Sequence, residues 1–205
     1  MIKENIYVGI DPSLTGTGVC VISDNKILHE KLIETAPEIK EKGKNPKKVS
    51  IEERLIFIIN EIYNLIAPYK NIRSIYVEGL SFGSKSQGAT DLAALHLYIR
   101  TNLFEKGIKC EVVPPLELKK WSTGIATAPK NVVLKEVYKR WGISWKADFF
   151  DDNICDAFCL SMFARNLYLN PEQKEVRDLK MKKTSEAKKK AKQNKRNKSK
   201  SIKSK

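Results

Sequence analysis

Histidine is nearly missing from this chain. His29 and His96 are the two present, and both fall inside regular apolar patterning where a structural role accounts for them. A Ser-His-Asp or Cys-His hydrolase therefore has no base to work with. Neither G-x-x-x-x-G-K-[ST] nor G-x-G-x-x-G occurs, which removes nucleotide binding by a glycine-rich loop. Cys20, Cys110, Cys155 and Cys159 show no C-x-x-C spacing and lie among apolar neighbours, so they read as small buried side chains rather than zinc ligands. No apolar run approaches the roughly 18 residues of a membrane span. The first residues, MIKENIYVGID, enter a strand without a secretory apolar region. No membrane partner and a cytoplasmic location are expected.

Acids are scarce at one end. The net charge is +14, but Met181–Lys205 holds 12 lysines or arginines and a single acid, Glu186, which leaves only +3 for the first 180 residues. Residues 171–205 thus read as a basic tail, expected to be disordered for want of apolar side chains to bury. Such charge density suits a cationic arm on phosphate backbones, and a solubilising extension is the plainer alternative. Residues 1–170, in a chain with 41% apolar residues, are enough for one core.

The pattern in that domain is α/β. Ile6–Asp11 and Val19–Ile22 read as strands flanking a turn with Pro12, Gly16 and Gly18; Asn25–Thr35 follows as a third. Ser50 with Glu53 three residues on marks a helix start, and Leu55, Ile58, Ile59, Ile62 and Leu65 keep helical spacing. Ile72–Glu78 is a fourth strand, Asp91–Phe104 a helix and Cys110–Val113 a fifth strand. Helices then fit Leu116–Ser122, the run from Pro129 to before Gly142, and Asp151–Leu169. Three meandering strands followed by helical crossovers make a mixed sheet.

Acids close two of these strands, Asp11 and Glu78, and open the last helix, as Asp151, Asp152 and Asp156. Asp11 alone could be a turn aspartate bonding the amides of Ser13 and Leu14, or a metal ligand. If the first and fourth strands are neighbours, Asp11 and Glu78 come close together. Like charges so placed raise one another's pKa unless a cation intervenes, and oxygen donors favour a hard ion such as Mg²⁺. Carboxylates, a divalent metal and a basic surface together fit phosphodiester hydrolysis.

VGIDPSLTGTGVCVI (8–22), SIYVEGLSFG (74–83) and DDNICDAFCLSMF (151–163), in this order, resemble the RuvC-type Holliday junction resolvases of the RNase H-like superfamily. LKKWSTGIATAPKNVV adds Lys119, Gly124 and Lys130 at that family's spacing. The resemblance spans about residues 4–168 and implies an RNase H-like mixed five-stranded sheet flanked by helices. It implies that Asp11, Glu78, Asp152 and Asp156 bind two Mg²⁺ ions, replaceable by Mn²⁺, and cut DNA to a 5′ phosphate and a 3′ hydroxyl. Lys119 and Lys130 would hold phosphates, with Phe82 and Lys85 as further DNA contacts. Phe82 would wedge at the crossover or else pack back on the sheet. A homodimer joined through the helix after Glu78 would face a four-way junction, and Gly16 and Gly18 would keep side chains clear of the DNA. The lysine-rich chain points to a phage source and hence the host cytoplasm.

This sequence departs from the family where Asn153 stands three residues before Asp156 and Asp152 four before; helical spacing puts both near the face of Asp156, with Asp152 the better ligand and Asn153 the lesser candidate. The rival readings are an RNase H-like nuclease for RNA or flaps, a sugar kinase or actin-like ATPase, and a catalytically dead DNA-binding module. The ATPase folds need a second domain and phosphate loop, and a dead module gives no reason for clustered acids.

Overall fold

The computed structural model describes residues 4–24, 26–39, 45, 47–80, 87–143 and 152–203. Phe82, Lys85 and Asp151 lie outside the described residues. The chain divides into two compact units, Met1–Arg165 and Asn166–Lys205.

The first unit is built on strands β1 (Ile6–Asp11), β2 (Gly16–Ser23), β3 (Ile27–Glu34), β6 (Ile72–Glu78) and β7 (Cys110–Val113), in the spatial order β3-β2-β1-β6-β7. β1 to β3 form the antiparallel meander, and β6 and β7 add to β1 in parallel. β1 and β2 are buried at every position, as befits strands covered on both faces. A short pair, β4 (Glu38–Ile39) with β5 (Lys47–Lys48), lies between β3 and the helix that starts after Ser50.

Helices cover both faces. α1 (Ile51–Ile66) starts at the expected capping box, in which Ser50 and Glu53 satisfy each other's backbone amides. Its stripe Ile58, Ile59, Ile62 and Ile66 joins Leu95, Ile99 and Leu103 of α2 (Gln87–Glu105) against Val8, Ile10, Ile75 and Val77. α2 begins one turn earlier than the sequence implies. α3 (Pro115–Thr123), α4 (Lys130–Trp141) and α5 (Asp152–Leu169) follow, and Pro129 is the residue before α4 rather than its first. On the other face α5 crosses the sheet, covered by Trp121 and Trp141, whose rings stack at 5.9 Å and meet Phe163 and Phe158 edge-on.

Gly18, and with it Gly9, has a packing reason in place of the expected clearance for DNA. A Cβ on Gly18 would stand 2.1 Å from the Asn153 carbonyl oxygen, and one on Gly9 1.9 Å from that of Ala157. They let the backbone of α5 lie directly on β1 and β2, and neither has a positive φ that would call for glycine in a turn.

In the second unit the stretch whose composition led to an expectation of disorder is described as helical. Pro171–Lys203 is one helix, α6. No Gly or Pro follows Pro171, and Lys, Ala, Glu and Gln are strong helix formers, so local propensity carries it without a buried face. The lack of burial agrees with the composition: every side chain from Asp178 to Asn194 is exposed.

Candidate active site

The parallel register of β1 with β6 brings the first two acids together. Ile10 lies opposite Val77, so the next residue of each strand, Asp11 and Glu78, ends side by side at one edge of the sheet. Side chains alternate along a strand, so Asp11 shares the α5 face with Gly9. Glu78 shares it with Tyr76, whose ring meets Phe163 of α5 at 5.6 Å. Asn153 of α5 lies over Gly18, the partner of Asp11 across the antiparallel pair. Asp156, one turn further along α5, thereby joins the two strand-end acids.

Asp11 is only 7% exposed, and its carboxyl lies close to that of Glu78. Like charges held that close favour the protonated form. Burial pushes Asp11 well above the ordinary carboxylate range, helped by the charges of Glu78 and Asp156. Burial and then Asp156 raise Glu78 to about 7, against the opposing effects of the neighbouring Asp11 carboxyl and the charge of Lys119. Asp156 is raised to about 6, chiefly by burial, while Lys119 and Lys130 pull it down and Asp152 pushes it up.

The turn between β1 and β2 shows why Asp11 is not a turn residue. Ser13 Oγ accepts from the amides of Thr15 and Gly16, and Thr17 Oγ1 accepts from the amide of Ser13 and donates to its carbonyl at 2.7 Å. The turn closes on its own hydroxyls and leaves the Asp11 carboxyl to the acid cluster.

Asp152 and Asn153 are separated by what they touch. Asn153 Nδ2 donates to the Gly16 carbonyl at 2.5 Å, tying α5 to the start of β2. Asp152 is held by the Lys130 ammonium in an ion pair at the mouth of the cluster. Lys130 opens α4, where the positive end of the helix disfavours a cation. Lys119, on α3, faces Glu78 and Asp156 closely enough to lower both. Gly124 ends α3 in the left-handed conformation at φ 83°, so its place between the two lysines is structural.

Two supporting residues were not singled out by patterning. Arg54 donates from Nε to Thr35 Oγ1 at 3.1 Å and from its guanidinium to the Leu14 carbonyl, bracing the turn after Asp11. His96 Nε2 lies 3.0 Å from the Glu78 carbonyl oxygen; since a carbonyl only accepts, Nε2 carries the hydrogen. Burial lowers the His96 pKa and keeps the ring neutral. Both residues interrupt apolar helix stripes, Arg54 four before Ile58 and His96 three before Ile99, and that interruption is visible in the sequence.

Among the described residues no three His, Cys, Asp or Glu side chains are placed so that they could together hold a metal ion. The donor set nevertheless fits a hard cation in its chemistry: every donor is a carboxylate oxygen, Asp11 is buried with Glu78 and Asp156 half-buried beside it, and their pKa values are raised first by desolvation and then by one another's charge.

A mixed five-stranded sheet with acids converging from two parallel strand ends and a crossing helix defines an RNase H-like nuclease fold. The family model for the crossover junction endodeoxyribonuclease RuvC matches residues 7–163, and the chain belongs to that family. It is 28% identical over 142 residues to the crossover junction endodeoxyribonuclease RuvC of Treponema denticola, covering 66% of this chain and 74% of that one. Thermus thermophilus RuvC, solved in complex with Holliday junction substrate, superposes with a TM-score of 0.62 at 19% identity, over 76% of this chain and 90% of that one. The yeast mitochondrial Holliday junction resolvase Ydc2 gives 0.52 at 11% identity, covering 75% of each chain. Among the described residues no helix is long and apolar enough to cross a membrane.

Proposed function

We propose that this enzyme resolves four-way and other branched DNA junctions by divalent-metal-dependent hydrolysis, nicking opposed strands symmetrically as a homodimer. The observation that carries the reading is the convergence of Asp11, Glu78 and Asp156 at one end of the sheet, with Lys119 and Lys130 at its rim. Asp11, Glu78 and Asp156, with Asp152 as a fourth donor, would hold Mg²⁺, two ions per site, with Mn²⁺ able to substitute. Bound there, the metal supplies an activated water and charge against the scissile phosphate.

The chain's own residues do the rest. Asp11 and Glu78, whose burial favours the protonated form, lose protons to solvent as the site is loaded. Lys130 exchanges Asp152 for a backbone phosphate: its side chain is 66% exposed, and an ion pair so open to water is worth only about 0–1 kcal/mol, so the exchange costs little. Asp152 is thereby released toward the other acids. Lys119 stays beside Glu78 and Asp156 and offsets part of their charge while taking a second phosphate. The products are a 5′ phosphate and a 3′ hydroxyl. Leu97 and Phe104, 59% and 76% exposed on α2, supply apolar surface for the dimer contact.

Asp11→Asn tests this. With Mg²⁺ it should bind a synthetic four-way junction as the parent does and cut it at least about 100-fold more slowly. Unchanged cleavage would remove Asp11 from the site, and a parent that cuts linear duplex as readily as junction would refute the junction specificity.

A further inference from the structure

Helix α6 changes character along its length. Its first turns are mixed, with Glu172, Glu175 and Asp178 against Lys174 and Arg177. From Lys180 to Asn194 there are seven lysines, at 180, 182, 183, 188, 189, 190 and 192, and one acid, Glu186, all exposed. At about 100° per residue these lysines leave no arc of the helix wider than about 80° without one. The apolar residues of the stretch, Met181, Ala187 and Ala191, form no broad stripe. A helix that lies on a membrane needs such a stripe, and so does one that seats in a protein groove.

Charge on all sides has a different use. Lys188 and Lys192 stand one turn apart and repel, so the cluster works against its own helix until anions surround it. A helix resting on one flank of a duplex would engage only half its lysines. One lying in the major groove has phosphates on both walls, and a helix about 10–12 Å across matches a groove about 12 Å wide. We propose that the distal part of α6 is a duplex-binding arm that lies in the major groove of a DNA arm. It holds phosphates through Lys180, Lys182, Lys183, Lys188, Lys189, Lys190 and Lys192 without reading sequence. This rests on the junction reading only in taking DNA as the polyanion.

The test uses the full chain with all seven lysines changed to Gln, which preserves helix propensity. Binding to linear duplex DNA and to duplex RNA of equal length is titrated over a range of salt, in chelator, so that the measurement stands whether or not the enzyme proves to cleave junctions. On DNA the slope of log K against log salt should fall by about three to six, and low-salt affinity by more than about tenfold, regardless of sequence. On RNA, whose major groove is too narrow to admit the helix, the slope should hold. An unchanged DNA slope overturns the proposal, as does an equal fall on RNA. Where the parent cleaves junctions, the variant's single-turnover rate at saturating enzyme should match it, which shows that the catalytic unit is intact.

Discussion

Asp156→Asn should stabilise the metal-free protein near neutral pH while destroying its activity. The folded Asp156 carboxyl, raised from 3.8 to about 6, binds its proton more tightly than the unfolded one does. Stability is therefore full below 3.8 and is lost as the pH rises through about 6. By about pH 8 the loss is complete, and at about 1.36 kcal/mol per pH unit between 3.8 and about 6 it amounts to about 3 kcal/mol. Asn keeps the shape and drops the charge, and it also relieves Glu78 and Asp11, both raised in part by Asp156. The amide must still find partners in a buried site, so a net gain of about 1–3 kcal/mol is expected. Urea melts in chelator at about pH 4 and pH 8 would measure it, with the gain confined to the higher pH. Added Mg²⁺ should reverse the ranking there, because the parent has carboxylates to offer and the variant one fewer. An equal gain at both pH values would refute the electrostatic account, and no gain at the higher pH would show that Asp156 is solvated in the folded protein.

The neighbouring positions on α5 should separate cleanly. Asp152→Asn should abolish most Mg²⁺-supported cleavage with little loss of stability, whereas Asn153→Ala should cost about 1 kcal/mol in a denaturant melt, through its bond to Gly16, and much less activity; the opposite ranking would make Asn153 the ligand. His96→Leu removes the hydrogen bond on the Glu78 carbonyl and should lower the single-turnover cleavage rate about tenfold at unchanged junction affinity. A rate equal to the parent's would show that the carbonyl needs no support.

Part of the site is legible in the amino-acid sequence, for physical reasons that differ from residue to residue. Asp11 and Glu78 stand out because a period-two apolar run ending on an acid is costly to bury, and the parallel register then aligns the two ends. Asp152 and Asn153 cannot be separated by spacing, since residues three and four before Asp156 both approach its face. The close contact of α5 with Gly18 decides which of them turns to the sheet. The helix in 171–203 escapes a reading by composition because composition reports on burial, and an exposed helix made by propensity buries nothing.

The residues that break local rules share one location. Asp11 is a buried acid, Arg54 and His96 interrupt apolar stripes, and Lys130 sits at the positive end of its helix. Each alone has an ordinary excuse. All four serve the same sheet end, where Arg54 braces the turn after Asp11, His96 holds the Glu78 backbone, and Lys130 guards Asp152. A chain gives up local consistency where function requires it, so polar residues set into apolar stripes are themselves a map of the site. Sought that way, Arg54 and His96 join the acids on the strength of the sequence alone.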